Sequence, residues 1–205
     1  MNGRNIPKSV TARLPVYLHF LKSLKASENR TISSSTIARA LGLGEVQVRK
    51  DLALVSGTGR PKIGYYLSEL IPSLEETLGS GNPTNAVIAG AGKLGRALLS
   101  YDGFAEYGLN VMAAFDKDGE CPCDEGKLIY PICGLKDYCI KNNVKIGIIT
   151  VPEKEAQDVC DLFVESGADA IWNFAPVRLE VPATVSVKNE NMAASLAVLS
   201  AGLSV

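Results

Sequence analysis

The stretch that most restricts the fold is Gly90-Ala-Gly-Lys-Leu-Gly95, set directly behind the apolar run Asn85-Ala-Val-Ile-Ala89 and directly ahead of Arg96-Ala-Leu-Leu-Ser-Tyr101. A buried parallel strand, a glycine loop and a helix in that order form a dinucleotide-binding fingerprint. Gly90 permits the tight turn, Gly92 lets a pyrophosphate approach the backbone, and Gly95 lets the helix lie close against the sheet. The first turn of that helix then offers N–H groups to the anion.

The residues that follow keep the same plan. Leu109-Asn-Val-Met-Ala-Ala-Phe115 reads as the second strand, and Asp116 stands at its end, 21 residues beyond Gly95. An acid there accepts from ribose hydroxyls and repels a 2′-phosphate, which favours NAD(H) over NADP(H), although Lys117 beside it counts the other way. Val144–Ile149 is expected as a further strand, Glu153–Glu165 as a helix, and Ala168–Asn173 as a strand leading into Phe174-Ala-Pro-Val177. Thr150, Val151 and Pro152 therefore follow a parallel strand on the cofactor side, where the nicotinamide end can rest; a plain helix-starting turn explains the same spacing. The expected cofactor set is Gly90, Ala91, Gly92, Lys93, Leu94, Gly95, Asp116, Lys117, Thr150, Val151, Pro152 and Asn173. No catalytic residue is assigned: the single histidine, His19, reads as a helix-face residue far from the glycine loop, and no acid–base pair follows the strands.

The front of the chain is built differently. Residues 1–78 hold 11 Lys/Arg against 6 Asp/Glu, and the remainder 10 against 16, so a net charge of -1 conceals a basic front and an acidic back. That division suits a module for phosphate contacts joined to one that binds something else, and equally two solvated surfaces. A helix is expected from Thr11, with Leu14, Tyr17, Leu18, Leu21 and Leu24 on one side and Pro15 in its first turn. Ser33–Gly42 reads as a second helix with Ile37, Ala40 and Leu41 inward, and Glu45–Leu54 as a third with Val48, Leu52 and Val55 inward. Helix, tight turn, helix is the arrangement that lays its second helix in a major groove, here carrying Gln47, Arg49 and Lys50. Gly57–Tyr66 is a glycine-rich cationic loop that reads either as a wing, with Arg60 and Lys62 at DNA, or as a solvated hairpin.

Leu67–Leu78 reads as a connecting helix and Gly79–Thr84 as a break, which gives expected domains of 1–78, 79–187 and 188–205. In the last, Met192, Leu196, Leu199 and Leu203 share one side of an almost uncharged helix that needs a surface, either its own domain or another subunit. Cys121, Cys123, Cys133, Cys139 and Cys160 do not have the spacing of a zinc site or a redox pair, and no metal is expected. No apolar segment reaches spanning length and residues 1–15 lack the apolar core of a secretory signal, so the expectation is a cytoplasmic protein with no membrane partner.

Taken in order, Arg13-Leu-Pro-Val-Tyr17, Gln47-Val-Arg-Lys-Asp-Leu52, Gly59–Tyr65, Gly90–Leu98, Ala113-Ala-Phe-Asp116, Thr150-Val-Pro152 with Ala156-Gln157, and Asn173–Leu179 make the chain resemble the Rex family of redox-sensing repressors from about Arg13 to Leu199. The resemblance implies an α/β protein with an N-terminal winged helix-turn-helix domain, a Rossmann-like parallel-sheet domain and a C-terminal helix exchanged between the subunits of a homodimer. It implies binding to a palindromic double-stranded operator when NADH is scarce and release when NADH binds, with NADH and NAD as regulatory ligands. Arg13 and Tyr101 would signal between domains together with an aspartate of the partner's terminal helix, where this chain has Asn191. Leu54-Val-Ser-Gly57 also departs from the family, which more often has an aromatic residue before that glycine, as does Lys93 in place of a commonly neutral residue. Two other readings stand beside this one: a small NAD-dependent oxidoreductase, and a DNA-binding protein with an empty Rossmann scaffold.

Overall fold

Two different hydrophobic patterns meet at Pro83, and contacts divide the chain there into two units: residues 1–83 with Glu106–Gly108, and Thr84–Ala105 with Leu109 onward. The computed structural model describes residues 6–24, 30–79, 83–118, 121–122 and 128–203.

The first unit is helical. Where one helix was expected from Thr11 there are two, α1 (Lys8–Thr11) and α2 (Leu14–Ser23). Pro15 explains the break, because its ring excludes the carbonyl of Thr11, four residues earlier, from a continuous helix, yet is tolerated in a first turn. Leu14, Tyr17, Leu18 and Leu21 of α2 are buried as their spacing requires. After the short strand β1 (Thr31–Ile32), Ser33 caps α3 (Ser34–Leu41) by accepting from Thr36 N–H at 3.1 Å, and Gly42 closes it in the left-handed conformation. Such a cap contributes about 1 kcal/mol. Ala38, not the expected Ala40, is buried beside Ile37: the inward stripe of α3 is rotated toward positions 37, 38 and 41, and Ala40 is left in solvent. Helix α4 (Glu45–Ser56) buries Val48, Leu52 and Val55, and with them Asp51. The strand β2 (Tyr65–Tyr66) pairs antiparallel with β1, and a bridge between Arg60 and Gly64 closes a small wing with Lys62 at its tip. Helix α5 (Leu67–Leu78) is not a free connector, since Leu67, Leu70 and Leu74 are buried in the same core.

The second unit is a doubly wound sheet. Its strands are β3 (Thr84–Ala89), β4 (Leu109–Asp116), β5 (Cys121–Pro122), β6 (Leu128–Pro131), β7 (Ile146–Ile149), β8 (Ala170–Asn173) and β9 (Ser186–Asn189), in spatial order β5-β6-β4-β3-β7-β8-β9. All pair in parallel except the edge strand β5. Helices α6 (Lys93–Leu99), α7 (Leu135–Lys141) and α8 (Glu153–Glu165) link them, and α9 (Met192–Gly202) ends the described chain. One face of the sheet packs on α7 and α8 through Val87, Ala113, Phe115, Cys139, Cys160 and Phe163. The opposite face gathers Ala86, Ile88, Leu99, Val111 and Ile148. Burial pushes the thiols of Cys139 and Cys160 up to about 11, so both stay protonated members of the core. Cys123 lies outside the described residues.

Candidate cofactor and nucleic-acid sites

Strand register brings the glycine loop, Asp116 and Thr150 to one end of the sheet, just beyond the C-terminal ends of β3, β4 and β7. Ala89 pairs with Phe115 on one side and with Ile149 on the other, so β3, β4 and β7 end level, and the chain leaves all three at the same place. The strand order reverses between β3 and β7, the crevice where doubly wound sheets bind ligands. Thr150 Oγ1 donates to the carbonyls of Gly90 at 2.7 Å and Ala89 at 3.1 Å, which ties the loop to the start of α8. Pro152 is the N-cap of that helix, so Thr150-Val-Pro152 is both a helix-starting turn and a wall of the crevice.

The Ala91 peptide is held at both ends. Its N–H donates to Asp116 Oδ2 at 2.6 Å, and its carbonyl accepts from Arg96 Nε at 2.9 Å. Asp116 therefore braces the glycine loop. Arg96 was not among the expected site residues; nothing in its spacing marks it, because its partner is a backbone carbonyl. Lys117 Nζ lies 3.4 Å from Glu155 Oε1, a pairing that draws its charge toward α8.

The loop fits a dinucleotide. Gly90 has φ +99, and a Cβ there would meet Thr150 at about 2.8 Å. A Cβ at Gly95 would strike the Gly90 carbonyl, the close approach that lets α6 start against the sheet. A Cβ at Gly92 meets nothing within 4 Å, so the space above the loop is open, and Gly92 caps α6 without a side chain over its first N–H groups. A side chain at 92 would fill the room that a pyrophosphate needs. Lys93 is exposed and Leu94 half-buried beside it.

Asn173 takes another part than the one expected. It is wholly buried, its Nδ2 donates to the carbonyls of Ala175 and Val177 and to Asn189 Oδ1, and its Oδ1 accepts from Ala175 N–H at 2.9 Å. With both amide atoms engaged, it folds the segment after β8. Gln157 clasps the other end of that segment, accepting from Glu180 N–H and donating to Glu180 O, each at 2.9 Å.

In the first unit, Arg49 and Lys50 are exposed on α4, with Gln47 and Val46 a turn or less away. A cleft of about 400 Å³ runs between Ser33–Ser35, Arg49 and the wing residues Gly59–Tyr65. The Arg60 guanidinium lies 4.6 Å over the Tyr66 ring and 3.1 Å from Glu69 Oε1, so both contacts engage its charged head. Lys62 is exposed with φ 63. His19 is an exposed residue of α2.

Arg13 has a partner the sequence did not disclose. Its Nε and Nη2 fork the two oxygens of Asp51 at 2.7 and 2.9 Å, and Tyr17 donates to the same carboxylate at 2.7 Å. Burial pushes the Tyr17 phenol up to about 12, with its bond to Asp51 adding to the effect, and the carboxylate holds the Arg13 guanidinium above its ordinary range. The available signal was an acid on the inward stripe of α4, between Val48 and Leu52. Tyr101 is exposed and meets Phe104 edge-on at 5.0 Å, and Phe104 in turn meets Trp172 at 5.9 Å. Asn191 caps α9, accepting from Ala194 N–H at 2.8 Å.

Residues 5–53 match the family model of a putative DNA-binding protein N-terminus, and residues 81–177 that of a CoA binding domain. The redox-sensing transcriptional repressor Rex of Desulforamulus reducens is 38% identical over 207 residues, covering 99% of this chain and 98% of its own. The chain belongs to the Rex family. Among solved structures, RSP in complex with β-NAD+ and operator DNA superimposes with a TM-score of 0.88 at 32% identity, covering 97% of this chain and 92% of that one. RSP in complex with β-NADH does so with a TM-score of 0.83 at 31% identity, covering 97% and 94%. Rex family membership accounts for a DNA-binding fold and a dinucleotide fold in one chain, and for a crevice that holds no histidine: the only one is in α2.

Proposed function

We propose that this protein is a homodimeric transcriptional repressor that binds a palindromic operator when NADH is scarce and leaves it when NADH binds. The observation that carries the reading is the glycine cradle at the switch point, open above Gly92 and braced by Asp116, Arg96 and Thr150, in a chain whose other unit presents a recognition helix and a basic wing. Gly90–Gly95 would hold the pyrophosphate and Asp116 the adenosine ribose, with Thr150–Pro152 facing the nicotinamide end. The bound dinucleotide supplies a ring that is uncharged when reduced and positive when oxidised. An apolar pocket accepts the first more readily than the second, and a ligand shifts a two-state dimer only by its differential affinity for the two states.

At the DNA, Arg49 and Lys50 would contact phosphate or guanine edges, Arg60 and Lys62 the backbone or minor groove beside the wing, and exposed Val46 is suited to a thymine methyl. The dimer would form through α9. Every described residue of that helix is exposed, including Met192, Leu196, Val198 and Leu199 at 61–74%. The second unit also carries an apolar groove of about 360 Å³ on its sheet, lined among others by Phe104, Val111, Ile146, Ile148 and Trp172. The α9 of a second copy is the natural cover for that groove, with Tyr101 at its aromatic rim. Asn191 keeps the capping role that an aspartate would have there, since the two residues cap about equally well.

Calorimetric titration with NADH, NAD and NADPH, alongside a mobility shift on operator DNA, tests the reading. The expected result is tight NADH binding, weaker NADPH binding, and loss of the DNA complex on adding NADH. Steady-state NADH oxidation with a carbonyl substrate, or no dinucleotide binding at all, would overturn it.

A further inference from the structure

Asp51 poses a question that stability does not answer. It sits in the middle of α4 at 3% exposure, on the stripe that otherwise carries Val48, Leu52 and Val55. Desolvating a carboxylate and a guanidinium is costly, and an apolar pair of like volume commonly serves a core as well or better. What the ion pair adds is direction. A bidentate fork fixes the guanidinium plane as no apolar contact does, and the Tyr17 hydroxyl at 2.7 Å locks the carboxylate from a third side.

The edge of that guanidinium reaches Gln47. With the Gln47 amide oxygen turned toward it, that oxygen accepts from Arg13 Nη1 at 3.2 Å, whose hydrogens the Asp51 fork leaves unused, and lies 3.0 Å from Nε, whose single hydrogen Asp51 already takes. Gln47 is otherwise an exposed side chain on α4, free to turn its amide either way. A glutamine reads adenine by donating to N7 and accepting from N6, which requires one definite amide plane. Its oxygen keeps a second lone pair after meeting Arg13.

We infer that Asp51 is a positioning residue for sequence recognition: through the Arg13 fork it sets the Gln47 amide in a base-reading orientation on α4. The inference rests on the DNA-binding reading above and adds to it the means by which one base is read.

The test measures anisotropy of the full-length protein on an operator selected from random palindromes and on a scrambled duplex of equal length. The variants are Asp51→Asn, Arg13→Lys, Gln47→Ala and the double variant Asp51→Asn/Gln47→Ala. Asp51→Asn and Gln47→Ala should each lower the operator-to-scrambled affinity ratio about tenfold, the worth of one bidentate base contact, while scrambled-DNA affinity holds. Arg13→Lys keeps the charge without the fork and should behave like Asp51→Asn. The double variant should be no worse than Gln47→Ala alone. A fall in operator and scrambled affinity in step, or a double variant whose loss is the product of the singles, would overturn the inference. Should Asp51→Asn not melt cooperatively, Arg13→Lys and its double with Gln47→Ala decide by the same rule. A wild-type protein with no operator preference would instead overturn the DNA-binding reading itself.

Discussion

A Cβ at Gly95 would run into the Gly90 carbonyl and Thr150 Oγ1, whereas one at Gly92 would enter open space. The two glycines of one loop therefore fail differently. Gly95→Ala should lower the melting temperature and NADH affinity together, with the steric overlap costing roughly 1–3 kcal/mol. Gly92→Val should leave melting nearly unchanged and abolish NADH binding; thermal denaturation beside calorimetry separates the two outcomes. Tyr17 gives a pH-dependent prediction. Its folded pKa is raised from 10 to about 12, so the contribution is complete below pH 10 and is lost as pH rises through about 12, because over that window the unfolded phenol ionises and the folded one does not. The stability of the wild type against denaturation should thus fall between those values by on the order of 2 kcal/mol, and Tyr17→Phe should flatten that fall. The close approaches at Gly90 and Gly95 were legible in the sequence because they depend on local spacing. Asp51 and Arg96 were not, since one pairs with a residue 38 positions away and the other with a backbone carbonyl.

At the scale of elements, long periodic segments were readable and short ones were not. Helices α4 and α8 and strand β4 lie within a residue or two of where their patterns place them. The break between α1 and α2, the short strands β5 and β6, and helix α7 went unread, because a four-residue strand or a one-turn interruption carries too few positions to show a period. Helix α9 was legible as a helix, but its apolar face pointed only to a missing surface. The groove over Ile146, Ile148 and Trp172 supplies one of matching character. If α9 of a second copy lies there, Leu196→Glu combined with Leu199→Glu should convert the dimer to a folded monomer in sedimentation velocity, and operator affinity should collapse with it. A dimer that survives both charges would place the interface elsewhere.

For the whole molecule, the basic first 78 residues and the acidic remainder correspond to two jobs, and their coupling is a matter of populations. To move a two-state dimer from mostly DNA-competent to mostly incompetent, NADH must prefer the second state by about 10⁴-fold, and NAD must lack most of that preference. Tight binding alone does not produce a sensor. If the aspartate that the resemblance implies at this position serves the coupling, Asn191 leaves the α9 cap in place while removing its negative charge. The most direct measurement holds total dinucleotide constant and varies the NADH-to-NAD ratio while following anisotropy of the dimer on its labelled operator at fixed salt. The predicted result is a release curve governed by the ratio, with NAD alone leaving the complex intact; a complex indifferent to the ratio while both dinucleotides bind would contradict redox sensing by this protein.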